Sequence, residues 1–445
     1  MKRKLAHKRQ VKSLHSDKNK VIDKEDLISL IAPYTDEAQR QKFIQGWDEH
    51  PVSGLLINPH HTSIASELNG LKQDESDKML YRFDKEEDRL GKSLLHFGGG
   101  FYILDPSSAA ISFYLDPLVK KEALGIDLCA APGGKSIALA FRRPDVFLLA
   151  NDISYPRALE IVKNTDRLGI TNIASLSLDP ENIPLDSLFD FVILDAPCSG
   201  SGMFRKDPKM LEDYSEDKVK RLLPIQEKLL EKAYQLVKKN GIIAYSTCSL
   251  STEEDEEQIK KIMAKHLDLK IIKADVKEDI IPAADGFGYH LVPGIYRGEG
   301  IYFIFLKKTA GEAKEPEKEN GQKTKAETQN TFPFRHNEYV VDRMFKDISP
   351  LPFISPGIKI HDDSEHPKCE FDHAFSKVTS SIPLLEVGKT QARSYAYGNE
   401  IISDSSAPDG LYVLTYHSLR LGFARKVKNR LKNLLPKGLR ANLSE

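Results

Sequence analysis

The chain has 445 residues, of which 40% are hydrophobic and 29% charged, and its formal net charge is -1 at pH 7. This length exceeds what one hydrophobic core usually organises, so we expect two or three domains. The sequence has no apolar run of about eighteen residues, and residues 1–20 are basic without an apolar core, which excludes a membrane span or secretory signal and favours a cytoplasmic protein. Its four cysteines are too sparse for a disulfide framework, which leaves free thiols available for chemistry.

The near-neutral net charge hides basic segments at both ends. Residues 1–20 contain a single acidic residue, Asp17, and residues 411–440 contain none. A charged run is usually a solvated tail, and that reading stays open for the N-terminus. The C-terminal run contains Leu431, Leu434 and Leu435, so we predict that it packs on one side and presents cations to nucleic acid on the other. Its basic residues are Arg420, Arg425, Lys426, Lys428, Arg430, Lys432, Lys437 and Arg440.

Between these ends, apolar runs alternate with helical patterns at intervals that suit βα units. The predicted elements are strand 123–128, the start of a helix at 135–141, strand 146–150, helix 155–168, strand 189–195, helix 227–238 with Asn240-Gly241 as its C-cap, and a further strand in "IIAYSTCS". This order predicts a doubly wound α/β sheet, in which ligands bind beyond the carboxyl ends of the strands. Residues 307–329 are almost devoid of apolar side chains and are predicted to be a linker to a smaller C-terminal module.

The first strand leads into "DLCAAPGGKS", residues 127–136, which ends like a phosphate-binding loop. That loop requires a glycine where this chain has Cys129, and Pro132 removes one of the amides that would bind phosphate. No G-x-G-x-x-G motif is present either, so nucleoside triphosphates and NAD are disfavoured. Gly133 and Gly134 nevertheless allow a ligand to approach the backbone closely.

Two acidic residues follow the next two strands, Asp152 and, further along, Asp179. Helix N-capping is the alternative for each residue taken alone. Together, beside a glycine turn, they suit a ligand with ribose hydroxyls, an adenine amine and a positive centre. S-adenosyl-L-methionine is such a ligand.

The loops after the last two strands contain Cys198 and Cys248, and neighbouring strand ends could bring both thiols into one pocket. A lone buried cysteine is most often a small hydrophobe, which is the alternative for either residue. Two thiols beside a sulfonium donor suit methylation of cytosine at C5, since a thiolate that adds to C6 turns C5 into a nucleophile. A second group must then assist loss of the C5 proton.

Four segments, "DLCAAPGGKS", "NDISYPR", "DAPCSGSGMFRKDP" and "YSTCSLSTEEDEE", together resemble the motifs of the RNA cytosine-C5 methyltransferases of the Sun family. The segment "FGGGFYILDPSSAA" is similar to the family's element before the catalytic core, and the resemblance covers roughly residues 25–306. The end of the chain resembles the PUA-like appendage of the bacterial branch that acts on 16S ribosomal RNA.

The resemblance implies an α/β fold with a Rossmann-like methyltransferase core, an N-terminal RNA-binding lobe and a small α+β PUA-like module. The implied domains are a basic tail at 1–22, the lobe at 23–117, the core at 118–306, a charged linker at 307–331 and the module at 332–445. It also implies a role for each candidate residue. Cys248 is the nucleophile, Cys198 assists product release, Asp195 and Lys135 act beside the target base, and the predicted S-adenosyl-L-methionine site consists of Cys129, Ala130, Ala131, Pro132, Gly133, Gly134, Lys135, Asp152, Arg157, Asp179 and Asp195.

Several alternatives remain open at this point. DNA cytosine methyltransferases attack with the Pro-Cys thiol, so the roles of Cys198 and Cys248 could be exchanged. Departures from the family pattern at Leu56, where relatives carry arginine, and at Gly294-Ile295 affect substrate contacts rather than chemistry. The C-terminal part contains four residues of types that bind metals, His361, His366, Cys369 and His373. Their spacing matches no common zinc pattern, so we expect no metal.

The predicted substrate is an unpaired or flipped cytidine, because a thiol cannot reach C6 inside a stacked helix. The predicted partner is 16S ribosomal RNA or an assembly intermediate of the small subunit. No membrane partner is expected, and the protein is predicted to be a monomer. Transfer RNA is the alternative substrate. The rival of another class is a ribosome-assembly factor that binds RNA without methyl transfer.

Overall fold

The computed structural model describes residues 24–68, 70–84, 89–311, 331–342, 351–362 and 369–443. The basic tail at residues 1–22 and most of the predicted linker lie outside these ranges, so the predictions made for them stay predictions. Within the described ranges, no helix is both long and apolar enough to cross a membrane.

The first part of the chain forms a small antiparallel sheet with helices before and after it. Its elements are α1 (Lys24–Ile31), α2 (Glu37–Trp47), β1 (Val52–Ile57), β2 (Lys72–Gln73), β3 (Leu80–Asp84), α3 (Leu94–Phe97), β4 (Phe101–Leu104) and α4 (Pro106–Leu115). The strands are ordered β2-β3-β1-β4. The apolar faces of α1 and α2, including Leu27 and Phe43, pack on Phe204 and Val292 further along the chain. The first part is therefore anchored to the central part by buried apolar contacts.

The central part forms a mixed sheet with a parallel middle. Its elements are β5 (Leu124–Asp127), α5 (Gly134–Arg142), β6 (Phe147–Asn151), α6 (Tyr155–Leu168), β7 (Ile173–Leu176), β8 (Phe189–Asp195), α7 (Lys209–Glu212), α8 (Glu216–Leu236), β9 (Val237–Thr247), α9 (Glu256–Lys265), β10 (Leu269–Ile272), β11 (Ile281–Pro282), β12 (Tyr289–Leu291) and β13 (Ile301–Lys308). The five strands β9-β8-β5-β6-β7 are parallel neighbours. Chain order reverses at β5, which confirms the predicted doubly wound sheet.

Both faces of this sheet are buried, as a parallel sheet requires. In β8, Phe191 and Ile193 enter the core on one face, while Val192 and Leu194 enter the core on the other. That burial explains why the strand is an unbroken apolar run rather than an alternating pattern. The boundaries predicted for helix 155–168 and strand 189–195 agree with the structure.

The predicted C-cap at Asn240-Gly241 is wrong, because the helix ends at Leu236 and both residues lie inside β9. Asn240 has a φ of +66°, and the register between β8 and β9 shifts at this point. A Cβ at Gly241 would lie 2.8 Å from the Asp190 carbonyl oxygen. The Asn-Gly pair therefore forms an irregularity within the strand, where the neighbouring strand leaves no room for a side chain. The predicted linker also begins too early, since β13 extends through Lys308.

The C-terminal part adds nine strands, one helix and two further sheets in the described residues. Its elements are β14 (Thr331–Phe334), β15 (Asn337–Val340), β16 (Phe353–Ser355), β17 (Ile358–Lys359), β18 (Leu384–Glu386), α10 (Lys389–Ala396), β19 (Ile401–Ile402), β20 (Gly410–Tyr416), β21 (Leu419–Val427) and β22 (Arg430–Asn433). The sheets are ordered β14-β15-β17 and β18-β20-β21-β22-β19. β16 instead pairs with β7 and so extends the central sheet. The domain boundary at residue 332 stays a prediction.

The basic C-terminal run is packed on one side, as predicted. Leu431, Leu434 and Leu435 are buried. Six of the eight basic side chains named from the sequence are exposed: Arg425, Lys428, Arg430, Lys432, Lys437 and Arg440. Lys426 is buried and Arg420 is half-buried, with its guanidinium donating to the carbonyls of Ser376 and Thr379.

Candidate active site

The carboxyl ends of the parallel strands bring the predicted residues to one edge of the sheet. β5 ends at Asp127 and leads into the glycine turn, which starts α5 at Gly134. β8 ends at Asp195 and β9 at Thr247, and Asp195 is paired in register with Ser246. The loops that follow these strands therefore begin side by side.

The glycine turn has an open ligand-facing backbone at its helix end. Gly133 adopts a φ of +107°, which favours glycine, and a Cβ added at Gly134 would meet no atom within 4 Å in the described part of the chain. Arg157 Nη2 donates to the Ala131 carbonyl at 3.0 Å, and Asn164 Nδ2 donates to that of Pro132 at 3.1 Å. The turn is thus held from α6 while Gly134 stays accessible.

Asn151, which the sequence analysis missed, ties together the loops after three strands. Its side chain donates to the carbonyls of Leu128 and Leu178 and accepts from the Leu178 amide at 2.9 Å. Its own carbonyl accepts from the Ala130 amide at 2.7 Å. The signal available in the sequence was a polar residue directly after the apolar run 146–150; the structure shows that it is fully buried.

The two aspartates predicted to bind the cofactor have different surroundings. Asp152 is 1% exposed, and its Oδ1 accepts from the Ser154 amide at 3.0 Å. Its Oδ2 accepts no hydrogen bond from the described residues, and the nearest cation is Arg157 Nη2 at 3.4 Å. Asp179 caps the short 3₁₀ helix Pro180–Asn182 by accepting from the Glu181 amide, which is the capping alternative; its ligand role stays a prediction.

Lys135 and Asp195 form an ion pair, with Lys135 Nζ 2.7 Å from Asp195 Oδ2. Burial alone lowers the pKa of Lys135, but the charge and hydrogen bond of Asp195 outweigh it and leave that pKa raised. Ser246 Oγ donates to Asp195 Oδ1 at 2.7 Å and fixes the carboxylate from the neighbouring strand. The Asp195 side chain remains 36% exposed, so this oriented anion can still meet a ligand.

The structure brings the side chains of Cys198 and Cys248 into contact, as expected from neighbouring strand ends. Their Sγ atoms are 2.9 Å apart, and the Cys248 amide donates to Cys198 Sγ at 3.2 Å. The hydrogen bond to Cys248 and burial raise the pKa of Cys198 well above its ordinary value. Either sulfur can be the donor of the hydrogen bond that joins them.

The third cysteine of the region, Cys129, differs from this pair. Burial, reinforced by the negative charges of Asp127, Asp195 and Asp152, raises the pKa of its thiol. It therefore stays neutral and contributes to the turn through its backbone and its packing.

The residues at this edge fit S-adenosyl-L-methionine. Asp152 Oδ2 is a buried acceptor without a hydrogen-bond donor in the described structure, which suits a ribose hydroxyl. Gly134 leaves room at the backbone, and the side chain of Ile153, missed by the sequence analysis, is 64% exposed next to Asp152. The exposed Ile153 side chain suits contact with a flat base, and the neighbouring Asp152 acceptor suits a ribose hydroxyl.

Three of the four candidate metal ligands of the C-terminal part, His361, Cys369 and His373, lie in the described residues. His361 stacks on Phe371, and burial lowers the pKa of His373 to about 3. His366 lies outside the described residues. Among the residues described, no group of three His, Cys, Asp or Glu side chains is arranged to hold a metal ion.

The two family departures lie at closely packed positions. Leu56 is buried in β1, opposite Leu80 and Tyr102. Gly294 has a φ of +82° and packs against α2, where a Cβ on Gly46 would lie 2.2 Å from the Gly294 Cα. The glycine at position 294 thus allows α2 to approach the central part closely.

Comparisons with known proteins agree with this geometry. Residues 113–307 match the family model for 16S rRNA methyltransferase RsmB/F, and residues 383–441 match the methyltransferase RsmF PUA domain. The chain is similar to ribosomal RNA small subunit methyltransferase F of Shewanella woodyi, with 30% identity over 79% of this chain and 81% of that protein. The namesake in Psychromonas ingrahamii is 29% identical over 80% of this chain and 82% of that protein.

Solved structures show the same fold. The crystal structure of NSun6 from Pyrococcus horikoshii with SFG superposes with a TM-score of 0.55 at 17% identity, and the match covers 64% of this chain and 98% of that chain. The family model covers the strands that bear the glycine turn and both cysteines, and the second model covers the basic five-stranded sheet. The chain therefore belongs to the 16S rRNA methyltransferase RsmB/F family and ends in an RsmF-type PUA domain.

Proposed function

We propose that this protein is an S-adenosyl-L-methionine-dependent RNA (cytosine-C5)-methyltransferase that modifies a cytidine of 16S ribosomal RNA in the cytoplasm. The observation that carries the proposal is the pair of sulfurs 2.9 Å apart beside the Lys135–Asp195 ion pair. A fold that only bound RNA would have no use for two thiols and an oriented carboxylate at one strand edge. Membership of the family supports the ribosomal substrate.

The cofactor site is proposed at the turn from Cys129 to Lys135, with Ala130, Ala131, Pro132 and Gly133 presenting backbone. Asp152 binds the ribose, Asp179 meets the adenine, and Arg157 holds the turn to Asp152. S-adenosyl-L-methionine supplies the electrophilic methyl group, carried on a sulfonium, that cytosine C5 accepts. The ion pair with Lys135 orients Asp195 towards the same edge.

Cys248 is the nucleophile. Its thiolate adds to C6, which breaks the aromaticity of the ring and makes C5 electron-rich. Asp195 hydrogen-bonds the cytosine ring and stabilises the charge that develops during attack. This assignment rests on the family resemblance of the segment around Cys248, because the 2.9 Å contact between the two sulfurs is compatible with either thiol as the donor.

Cys198 assists product release. Once C5 carries the methyl group, its proton must leave so that the electron pair of the C5–H bond restores the C5=C6 double bond. The C6–S bond then breaks and the thiolate returns to Cys248. Cys198 Sγ lies within contact distance of the leaving sulfur, where a donor or acceptor of protons acts on that step.

Substrate binding is proposed to involve the C-terminal sheet. Its exposed cations suit phosphate contacts, which position an RNA without reading its sequence, while the pocket with Cys248 selects the base. The target cytidine must be unstacked to enter that pocket. An incompletely assembled small subunit offers such a base.

The test separates the two thiols. With substrate RNA, Cys248→Ala should abolish both methyl transfer and any covalent protein–RNA adduct, while Cys198→Ala should accumulate an adduct that resists denaturant. Cys369→Ala, a buried cysteine of the C-terminal part, is the matched control and should keep activity. An adduct with Cys248→Ala but not with Cys198→Ala would reverse the assignment.

Tritiated S-adenosyl-L-methionine, incubated with RNA from cells that lack the protein, identifies the substrate. Label in 16S ribosomal RNA is expected, and bisulfite sequencing then gives the modified position. Label in transfer RNA would make transfer RNA, rather than 16S ribosomal RNA, the substrate. No label in any RNA would favour a factor that binds RNA without catalysis.

A further inference from the structure

A buried carboxylate connects the two cysteine loops. Glu254 lies in the acidic segment after β9 and is 0% exposed. Its Oε1 accepts from the Ser199 amide at 2.8 Å, and its Oε2 accepts from Ser249 Oγ at 2.7 Å and from Ser199 Oγ. Ser199 directly follows Cys198 and Ser249 directly follows Cys248, so one side chain bonds the neighbours of both thiols.

The contacts fall unequally on the two loops. Gln226, from α8, donates through Nε2 both to Glu254 Oε1 and to the Pro197 carbonyl, at 3.0 Å each. Ser199 contributes both its amide and its hydroxyl. Three donors thus hold residues 197–199 against the carboxylate, while one hydroxyl holds the loop of Cys248. Glu254 therefore holds the residues around Cys198, in addition to the bonds that join the loops directly, from the Gly202 amide to the Cys248 carbonyl and from the Leu250 amide to Ser201 Oγ.

Two further acidic residues of this segment, Asp255 and Glu256, also bond to neighbouring elements. Thr247 Oγ1 donates to Asp255 Oδ1, and His290 Nε2 is 2.7 Å from Glu256 Oε1. Tyr245 Oη donates to the Glu254 carbonyl at 2.7 Å. Tyr245 of β9 holds the backbone of Glu254, while the Glu254 side chain bonds to both cysteine loops. A change at Glu254 can therefore alter the position of one loop relative to the other.

We propose that Glu254 is a positioning residue for catalysis, which sets the register of the Cys198 loop against Cys248 and thereby the rate of product release. The inference rests on the proposed covalent function. The Glu254 carboxylate makes no hydrogen bond with either thiol in the described structure and acts through Ser199 and Ser249. The carboxylate accepts from all four donors, whereas an amide in its place would have no charge and would require the hydroxyls of Ser199 and Ser249 to accept from its NH₂ group instead of donating.

The test uses the full-length protein with substrate RNA and compares Glu254→Gln with Glu253→Gln. Glu253 is the adjacent residue, is exposed, and undergoes the same change of charge. Glu254→Gln should lower kcat about tenfold or more, as displacement of a catalytic group commonly does, with KM for RNA and cofactor affinity within about twofold. Glu253→Gln should keep wild-type kinetics.

The positive signature is the adduct. Because release should slow more than attack, Glu254→Gln should accumulate the denaturant-resistant protein–RNA adduct, as Cys198→Ala does. Combining the two substitutions should add little to the Cys198→Ala level, since both affect one step. A general loss of folding lowers adduct and activity together and does not produce this pattern.

Three outcomes are distinguishable. A folded Glu254→Gln protein with wild-type kcat and no adduct overturns the positioning role. Absence of an adduct in Cys198→Ala itself refutes the covalent function on which the inference rests. If Glu254→Gln does not fold, Ser199→Ala and Ser249→Ala, which each remove one hydroxyl donor to Glu254, must show adduct accumulation; if neither does, the inference is wrong.

Discussion

Asp127, at the end of β5, should make the stability of the ligand-free protein depend on pH. The residue is 1% exposed, Ser136 Oγ donates to its Oδ2 at 2.7 Å, and its Oδ1 has no hydrogen-bond partner among the described residues. Burial, with a further contribution from Asp195, raises the pKa of Asp127 from 3.8 to about 7. The folded protein therefore retains a proton that the unfolded chain has lost.

The sign and size of the effect follow from this difference. A raised carboxyl pKa favours the folded state at low pH, and that stability is lost as the pH rises from about 4 to about 7 and stays constant above. At about 1.4 kcal/mol per pH unit, the loss is about 4 kcal/mol, of which roughly 3 kcal/mol falls between pH 5 and 8. For a domain of roughly 200 residues this corresponds to a fall in Tm of about 6–12 °C.

Asp127→Asn should remove this loss, because the amide does not ionise. The loss of stability is measured by thermal unfolding of the ligand-free protein at steps from pH 5 to 8. At each pH, the Tm of the variant is compared with that of the wild type. The difference in Tm should shift in favour of the variant as pH rises. Asp186→Asn, at an exposed position, is the control and should follow the wild-type curve. Parallel curves for Asp127→Asn and wild type would refute the reasoning.

Two further predictions concern the cofactor site and the packing of α2. Asp152→Asn should weaken S-adenosyl-L-methionine binding by about 1.5–3 kcal/mol, since a charged acceptor for the ribose is lost, and calorimetric titration checks this against the exposed Glu160→Gln. Unchanged affinity would exclude Asp152 from the ribose contact. Gly294→Ala should lower Tm strongly, because its Cβ would lie 2.2 Å from the Lys42 carbonyl oxygen at a φ of +82°. Gly286→Ala, also at positive φ but with no described atom within 4 Å, should cost only about 1 kcal/mol, and equal losses would contradict the steric explanation.

The order of strands and helices could be predicted because each element carries its own pattern. Helix Tyr155–Leu168 and strand Phe189–Asp195 were bounded correctly from periodicity and from an unbroken apolar run. The Asn240-Gly241 pair was misread because a local turn signal does not reveal that the neighbouring strand approaches too closely for a side chain. The burial of Glu254 could not be predicted either, since five consecutive acidic residues, 253–257, usually indicate a solvated surface.

The sequence by itself determined the alternation of strands and helices, the glycine turn and the identity of the two thiols, because these are properties of short, contiguous segments. Only the tertiary structure decided that Cys198 and Cys248 lie in contact, that Glu254 joins their loops, and that β16 extends the central sheet. Those relations join residues far apart in the chain, and they depend on which strands become neighbours and in which register, which no single segment encodes.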